Sequence, residues 1–225
     1  KAITIRGATN GDGSPSVIID GQHSTRVIYS DGDSLNTVFE NLIIENGAAG
    51  DGGGMRIKSG SPTIINCTFR FNTCGSGTGG GVYAIGTNDG TGCDSVFTNC
   101  RFEDNQAISY GGGIFIRPGN NMTFNDCSFT NNTATGEGGG VYNDSSNSTF
   151  FNCMFENNTG TQLGGGMYNR NSSSPTLTNC TFTGNTAGNG GGMFNYNSSN
   201  PTLSDCTFES NYAHTRGGGM HNNSD

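Results

Sequence analysis

Eight cysteines, three histidines and a handful of acidic loops are the groups of this 225-residue chain that could bind metal, pair or react. Cys67, Cys100, Cys127, Cys153, Cys180 and Cys206 each stand two residues before a phenylalanine: Phe69, Phe102, Phe129, Phe155, Phe182 and Phe208. Such regular placement reads as a column of small apolar fillers rather than a reactive set. Cys74 and Cys93 fall outside it. They lie seven residues after one column cysteine and seven before the next, and flank the loop "AIGTNDGTGCD". A disulfide between them, stapling that loop, is the preferred reading and would indicate an oxidising compartment. Zinc is the alternative, but no CxxC or paired histidine accompanies them. His23, His214 and His221 share no motif. Asp12, Asp31, Asp33 and Asp89 sit in acidic loops with oxygen ligands, which makes calcium the one cofactor to weigh; none completes a calcium-loop signature, and plain turns are the simpler reading.

The groups that must hold these residues are dominated by glycine and asparagine. Gly 39 is more than double ordinary usage, Trp is absent and only 31% of the chain is apolar. Charged residues are just 12%, whereas disorder usually needs high net charge. The composition therefore suits a fold whose turns use Gly and Asn by design. A net charge of −8 argues against nucleic acid or an anionic membrane as partner. No apolar run approaches the ~20 residues that span a bilayer, so no membrane insertion by this segment is expected. The absence of an initiator Met and of a signal segment reads as a processed or excised form.

The rhythm supplies the architecture. Glycine triplets begin at 52, 79, 111, 138, 164, 190 and 217, each followed by an apolar residue: Met55, Val82, Ile114, Val141, Met167, Met193 and Met220. Three residues after each column Phe stands Asn72, Asn105, Asn132, Asn158, Asn185 or Asn211. Directly before each column Cys stands Asn66, Asn99, Asp126, Asn152, Asn179 or Asp205. Glycine triplets are costly in helices, and the short pieces between turns are rich in Thr, Phe, Ile and Val, so strands are predicted. Cys and Phe two apart share a face, while an apolar residue three before each Cys (Ile64, Phe97, Phe124, Phe150, Leu177, Leu203) requires a bend between. The Asn or Asp before Cys supplies it. Each repeat becomes strand, bend, strand, turn, strand. The expected fold is all-β: a single-stranded right-handed parallel β-helix of about eight coils of 26–27 residues, each coil ~4.8 Å above the last. Residues 1–50 are read as degenerate N-terminal coils and 51–225 as the regular repeats of the same continuous domain.

Gly-Gly-Gly-apolar paired with Phe-x-x-Asn resembles the GGA-I and FxxN repeats of chlamydial-type polymorphic outer-membrane proteins, and of other secreted bacterial proteins with such repeats. The lead-in "SVIIDG…RVI…VFENLIIENG" resembles their first coils. The resemblance implies an extracellular or cell-surface location and an adhesin role. Here glycine replaces the Ala of GGA, and no membrane barrel is present.

Parallel β-helices also host pectate lyases and polygalacturonases, so catalysis has to be weighed. Arg56-Ile57-Lys58 matches one tripeptide of polygalacturonases, but the companion Asn-Thr-Asp, Asp-Asp and Gly-His-Gly pieces are missing. Glu103, Glu156 and Glu209 share an outward face at alternate coils, ~10 Å apart, with Thr130 and Thr183 between them. That pattern suits a solvated face. Thr63, Thr123, Thr149, Thr176 and Thr202 form a column that could bind ice, but the companion column is irregular and sheet stabilisation accounts for it. No catalytic residue is assigned.

Two features remain open. The residues after the post-triplet column are Tyr83, Phe115, Tyr142, Tyr168 and Phe194, flanked by Arg56 and His221. Neighbours in a strand face opposite ways, so one of these two columns lies outside: either an exposed interaction stripe, or a stripe covered by a returning loop. Loop sequons at Asn121, Asn131, Asn143, Asn147, Asn157, Asn171 and Asn197 are candidates for glycosylation. The expectation is a non-catalytic structural or adhesive β-helix, an adhesin segment or a filament subunit. Its partners would be surface glycans or a host or matrix protein. The alternative is a carbohydrate-binding or polysaccharide-cleaving β-helix that stacks sugars on the stripe. Neither end carries a cap, so continuation in a longer chain or end-to-end self-association is also expected.

Overall fold

Left-handed residues decide where each coil turns. The computed structural model describes residues 3–32, 37–86 and 92–223, and within them almost every corner is a residue with φ near +55° or a glycine. Asn66, Asn99, Asp126, Asn152, Asn179 and Asp205, the residues before the column cysteines, all have φ between 49° and 54°. Asn and Asp tolerate this conformation because a short polar side chain can bond locally, where a β-branched residue could not. The first glycine of each triplet makes the next large turn, Gly138 at φ 67° for example. The second glycine is needed for a different reason: a Cβ on Gly139 would lie 2.5 Å from the Gly165 carbonyl oxygen of the following coil.

The strands between these corners pair in parallel, coil on coil. Among the described residues they form three sheets of eight strands and one of seven. One coil illustrates the order: Thr149–Phe151 in a first sheet, Met154–Glu156 in a second, Thr159–Leu163 in a third and Met167–Arg170 in a fourth. Three strands per coil were expected and four are found. The additional one is short, as in Thr133–Ala134, and fills the space between the Phe-x-x-Asn corner and the glycine triplet. Its interior positions are Cys74, Ala107, Ala134, Gly160 and Ala187, so small that the strand carries no hydrophobic signal.

Inside, like stacks on like. Phe102, Phe129, Phe155, Phe182 and Phe208 are register partners along the second sheet. Phe129 and Phe155 stack at 5.0 Å and Phe155 and Phe182 at 4.3 Å, with planes 5° and 2° apart. Phe97, Phe124 and Phe150 form a second column that meets the first edge to face. The column cysteines fill the corner between them. Each thiol donates back to carbonyls, Cys153 to Phe124 O at 3.5 Å and Phe151 O at 3.4 Å. Burial pushes the Cys67 thiol up to about 12 and that of Cys127 well above its ordinary range, so these groups stay protonated and unreactive.

The expected Cys74–Cys93 disulfide is not formed; both cysteines are free. Cys74 lies in the third sheet with Ala107 and Ala134, its thiol pushed up to about 11 by burial. Cys93 joins the main core on the approach to the first sheet, where its thiol donates to Ile85 O at 3.0 Å. Equal spacing from the column cysteines misled because seven residues forward and seven back lead to different sides of the coil.

Candidate functional site

The glycine triplet folds the residue that precedes it against the residue that follows two places after it. This sets three columns side by side on the outside of the fourth sheet. The floor is Tyr29, Arg56, Tyr83, Phe115, Tyr142, Tyr168, Phe194 and His221, which pair in register. One wall is the residue before each of the last five triplets: Tyr110, Glu137, Leu163, Asn189 and Arg216, which continue the third sheet as bridges and pairs. The other wall is the residue two beyond the floor: Lys58, Ile85, Arg117, Asp144, Arg170, Tyr196 and Asn223. Over the coils from Glu137 to Asn223 they open into a groove.

The stripe is therefore outside the main core but not exposed. Tyr83, Phe115, Tyr142, Tyr168 and Phe194 are between 1% and 7% accessible and form a second core with Ile85, Tyr110 and Leu163. The covering reading holds, and the exposed interaction stripe is corrected. Stacking of sugars on these rings is excluded by the same geometry. Successive rings lie 4.6–5.7 Å apart and occupy each other's faces, as Phe115 and Tyr142 do at 4.6 Å with planes 22° apart. What the groove offers to solvent is its polar walls.

Those walls are unevenly satisfied. Arg117 donates to the Tyr83 hydroxyl at 3.2 Å and Arg170 to the Tyr142 hydroxyl at 3.0 Å, each reaching back one coil. Arg56 lies over the rings of Tyr29 and Tyr83, 5.9 and 5.4 Å from their centroids. Asp144 stands 3.7 Å from Arg170 Nε without a hydrogen bond. The half-buried Glu137 carboxyl is pushed above its ordinary range by burial, against the opposing pull of Arg170 and the Tyr142 hydroxyl. Glu137 Oε2, Arg170 Nε and His221 Nδ1 are buried polar atoms with no hydrogen-bond partner. All three residues line one open cleft of about 580 Å³, with Tyr168, Tyr196 and Arg216.

A raised folded pKa means that the ionised form is the disfavoured one, so Glu137 lowers stability once the pH rises above the unfolded carboxylate range. Glu137→Gln is expected to melt higher than the parent at pH 7, and the two curves to converge below about pH 4, where both forms are neutral. Thermal melts across that range check it. A gap that persists in acid would show that the glutamine acts through packing instead.

The remaining candidates are dispersed. Asn143 is fully buried and donates to Asn169 Oδ1 at 2.7 Å, so a glycan cannot be accommodated there and that sequon is corrected. Asn121, Asn131, Asn147, Asn157 and Asn197 are exposed and Asn171 half-buried. Asp12 closes its own turn by accepting from Ser14, and Asp31 pairs with Lys58 at 3.3 Å; Asp33 and Asp89 lie outside the described residues. No group of three acidic, His or Cys side chains that could hold a metal is found among the described residues. No helix long and apolar enough to cross a membrane occurs there either. His23 is exposed, His214 meets Tyr212 edge to face and His221 meets Phe194 likewise.

A family model described as "right handed beta helix region" matches residues 53–225. The chain belongs to this right-handed β-helix family. No curated protein matches the chain. The family match begins at the first glycine triplet, so the β-helix is recognised from the same repeats that build the groove. The sequence reading missed both groove walls. The signal was present in the position before each of the last five triplets (Tyr110, Glu137, Leu163, Asn189, Arg216), but its residue types change from coil to coil and so fell outside the repeat.

Proposed function

We propose that this β-helix is a non-catalytic recognition element, the adhesive surface segment of an extracellular protein, and that it binds through the groove on the fourth sheet. The observation that carries the reading is the cleft lined by Glu137, Arg170 and His221, whose Oε2, Nε and Nδ1 atoms are buried without a hydrogen-bond partner. Buried polar groups are nearly always satisfied, so three orphans facing one opening point to a ligand that supplies the missing bonds. With Cys74 and Cys93 apart, the cysteines give no support to an oxidising compartment, and the extracellular placement rests on the resemblance to surface β-helix repeats.

A hydrolytic reading has one observation in its favour: the raised Glu137 carboxyl and Asp144 both face Arg170, two carboxyl groups in different environments. Incubation of the purified chain with a panel of immobilised glycans and soluble polysaccharides separates the two. Retention without product supports the binding element. Release of shortened sugars, abolished in Glu137→Gln, overturns it in favour of a hydrolase.

A further inference from the structure

Eight times along the chain an Asn or Asp is followed directly by glycine, and the fold treats these steps unequally. At such a step the backbone can react with its own side chain. The glycine nitrogen reaches the Cγ of the residue before it, and a residue without a Cβ obstructs that approach least. Asp89–Gly90 lies outside the described residues. In six of the other seven steps the glycine N–H already donates to the protein. Gly21, Gly32, Gly52 and Gly190 bond the Glu45, Lys58, Thr78 and Arg216 carbonyls of the following coil at 2.8–3.0 Å. Gly47 bonds Asn72 Oδ1 at 2.9 Å in the interior, and Gly13 bonds Asn10 O at 3.0 Å within its own turn. The nitrogen of Gly11 is the one left without a bond.

Asn10 and Gly11 stand at the tip of a small loop closed by a bridge between Thr9 and Pro15. Both are exposed, and a Cβ on Gly11 would meet nothing within 4 Å, so a ring can form there without displacing a neighbour. Asn10 Nδ2 donates to Ser14 Oγ at 3.0 Å and to Pro15 O at 3.4 Å, surface bonds that water replaces at little cost. The other two asparagines of the set, Asn46 and Asn189, are half-buried, and each precedes a buried glycine. Attack at those steps requires the glycine N–H to leave its bond first, which means a local opening of the stack.

We propose that Asn10–Gly11 is a site of spontaneous deamidation, the one Asn-Gly step of the described fold that stacking leaves unprotected. Gly11 N attacks Asn10 Cγ, the N–Cγ bond forms, and the Cγ–Nδ2 bond breaks. Nδ2 leaves as ammonia, its third proton being the one that Gly11 N gives up through solvent. Water then opens the resulting cyclic imide. Cleavage between Gly11 N and Cγ gives aspartate, and cleavage between Gly11 N and the backbone carbonyl carbon of residue 10 gives isoaspartate. Water is the sole co-reactant. Either product adds a negative charge close to Asp12. Isoaspartate also routes the chain through the side chain, lengthening the turn that Gly13 N closes on Asn10 O. The same loop is latched to the corner column, because Asn66 Nδ2 donates to Gly13 O at 2.9 Å. Isoaspartate at residue 10 releases this latch. The column itself survives, since Asn66 Nδ2 keeps its bond to Asn41 Oδ1 at 2.8 Å.

Incubation of the full chain near neutral pH, folded and in denaturant, followed by peptide mapping with mass spectrometry, tests this. In the folded chain Asn10 should convert roughly tenfold or more faster than Asn46 and Asn189, whereas in denaturant the three rates should converge, because a buried bond protects only while the stack is closed. A methyltransferase specific for isoaspartate, with a labelled methyl donor, should mark the aged folded chain, and Asn10→Ala should abolish the mark. Gly11→Val crowds the attacking nitrogen at a position whose φ is not left-handed, so it should slow conversion without changing the melt. In the isoaspartyl form, amide exchange at Ser14 and Ser16, which bond Asp12 Oδ1 and Ala8 O, should accelerate while the coil of Phe155 is unchanged. Comparable rates at the three asparagines in the folded chain, or a mark that persists in Asn10→Ala, would overturn the site. Unchanged exchange at Ser14 and Ser16 would overturn the release of the loop.

Discussion

Phe155→Ala is expected to lower the stability of the β-helix by about 3–5 kcal/mol, the cost of removing a fully buried aromatic ring from a packed interior. Phe155 is completely inaccessible. It stacks on Phe129 below and Phe182 above, and meets Phe150 across the core at 5.7 Å with planes 62° apart. The rings above and below are fixed by their own strands and cannot collapse into the gap. The damage should nevertheless stay local, because each coil of a solenoid contacts only its neighbours. Amide exchange would then accelerate in the coils containing Phe129, Phe155 and Phe182 more than at Phe69. Denaturant unfolding gives the magnitude, and a melting curve unchanged by the substitution would show that the Phe column is not the core.

The second large effect concerns the asparagine ladder, and its magnitude comes from unmade bonds rather than lost volume. Asn72, Asn105, Asn132, Asn158 and Asn185 are at most 1% accessible. Asn158 Nδ2 donates to Phe129 O at 2.8 Å and to Asn185 Oδ1 at 3.0 Å, while its Oδ1 accepts from Asn132 N and Nδ2, both at 3.0 Å. Asn158→Ala leaves the Asn132 amide and the Phe129 carbonyl unsatisfied in the interior. Each such group costs about 1–3 kcal/mol, so a loss of roughly 2–5 kcal/mol is expected. Asn158→Asp provides the discriminating measurement. A carboxylate can accept from Asn132 but cannot donate, and burial raises its folded pKa above the unfolded value. The variant should therefore be least unstable in acid and lose stability as the pH rises through that folded pKa. A pH-independent loss would show that the ladder matters for shape alone.

Much of this was legible in the chain because stacking makes a solenoid's sequence periodic: a residue type that fits one coil fits the next. Phe69 to Phe208, Cys67 to Cys206 and the triplets from Gly52 to Gly217 recur in step, and the structure puts each series in a column. The bend before each cysteine followed from the left-handed tolerance of Asn and Asp, and φ is positive at each of them. The role of Asn72 to Asn211 was not legible, since an asparagine three places after Phe reads equally as a turn residue; only stacked coils bring its amide within 3.0 Å of the next.

The sequence by itself determined the coil's length, the corner before each cysteine and the columns that fill its core, because these depend on local conformation and on period; the fourth strand of each coil carried no such signal. Tertiary structure alone decided what lies on either side of the column from Tyr83 to Phe194. That burial depends on residues such as Tyr110 and Leu163 returning across the triplet, and on rings of successive coils closing on each other's faces. It also decided that Cys74 and Cys93 stay apart, and that Arg117 and Arg170 each reach back one coil to a tyrosine hydroxyl. Pairing and alignment of this kind depend on which side of a coil a residue reaches, and spacing along the chain does not record that until the number of sides is known.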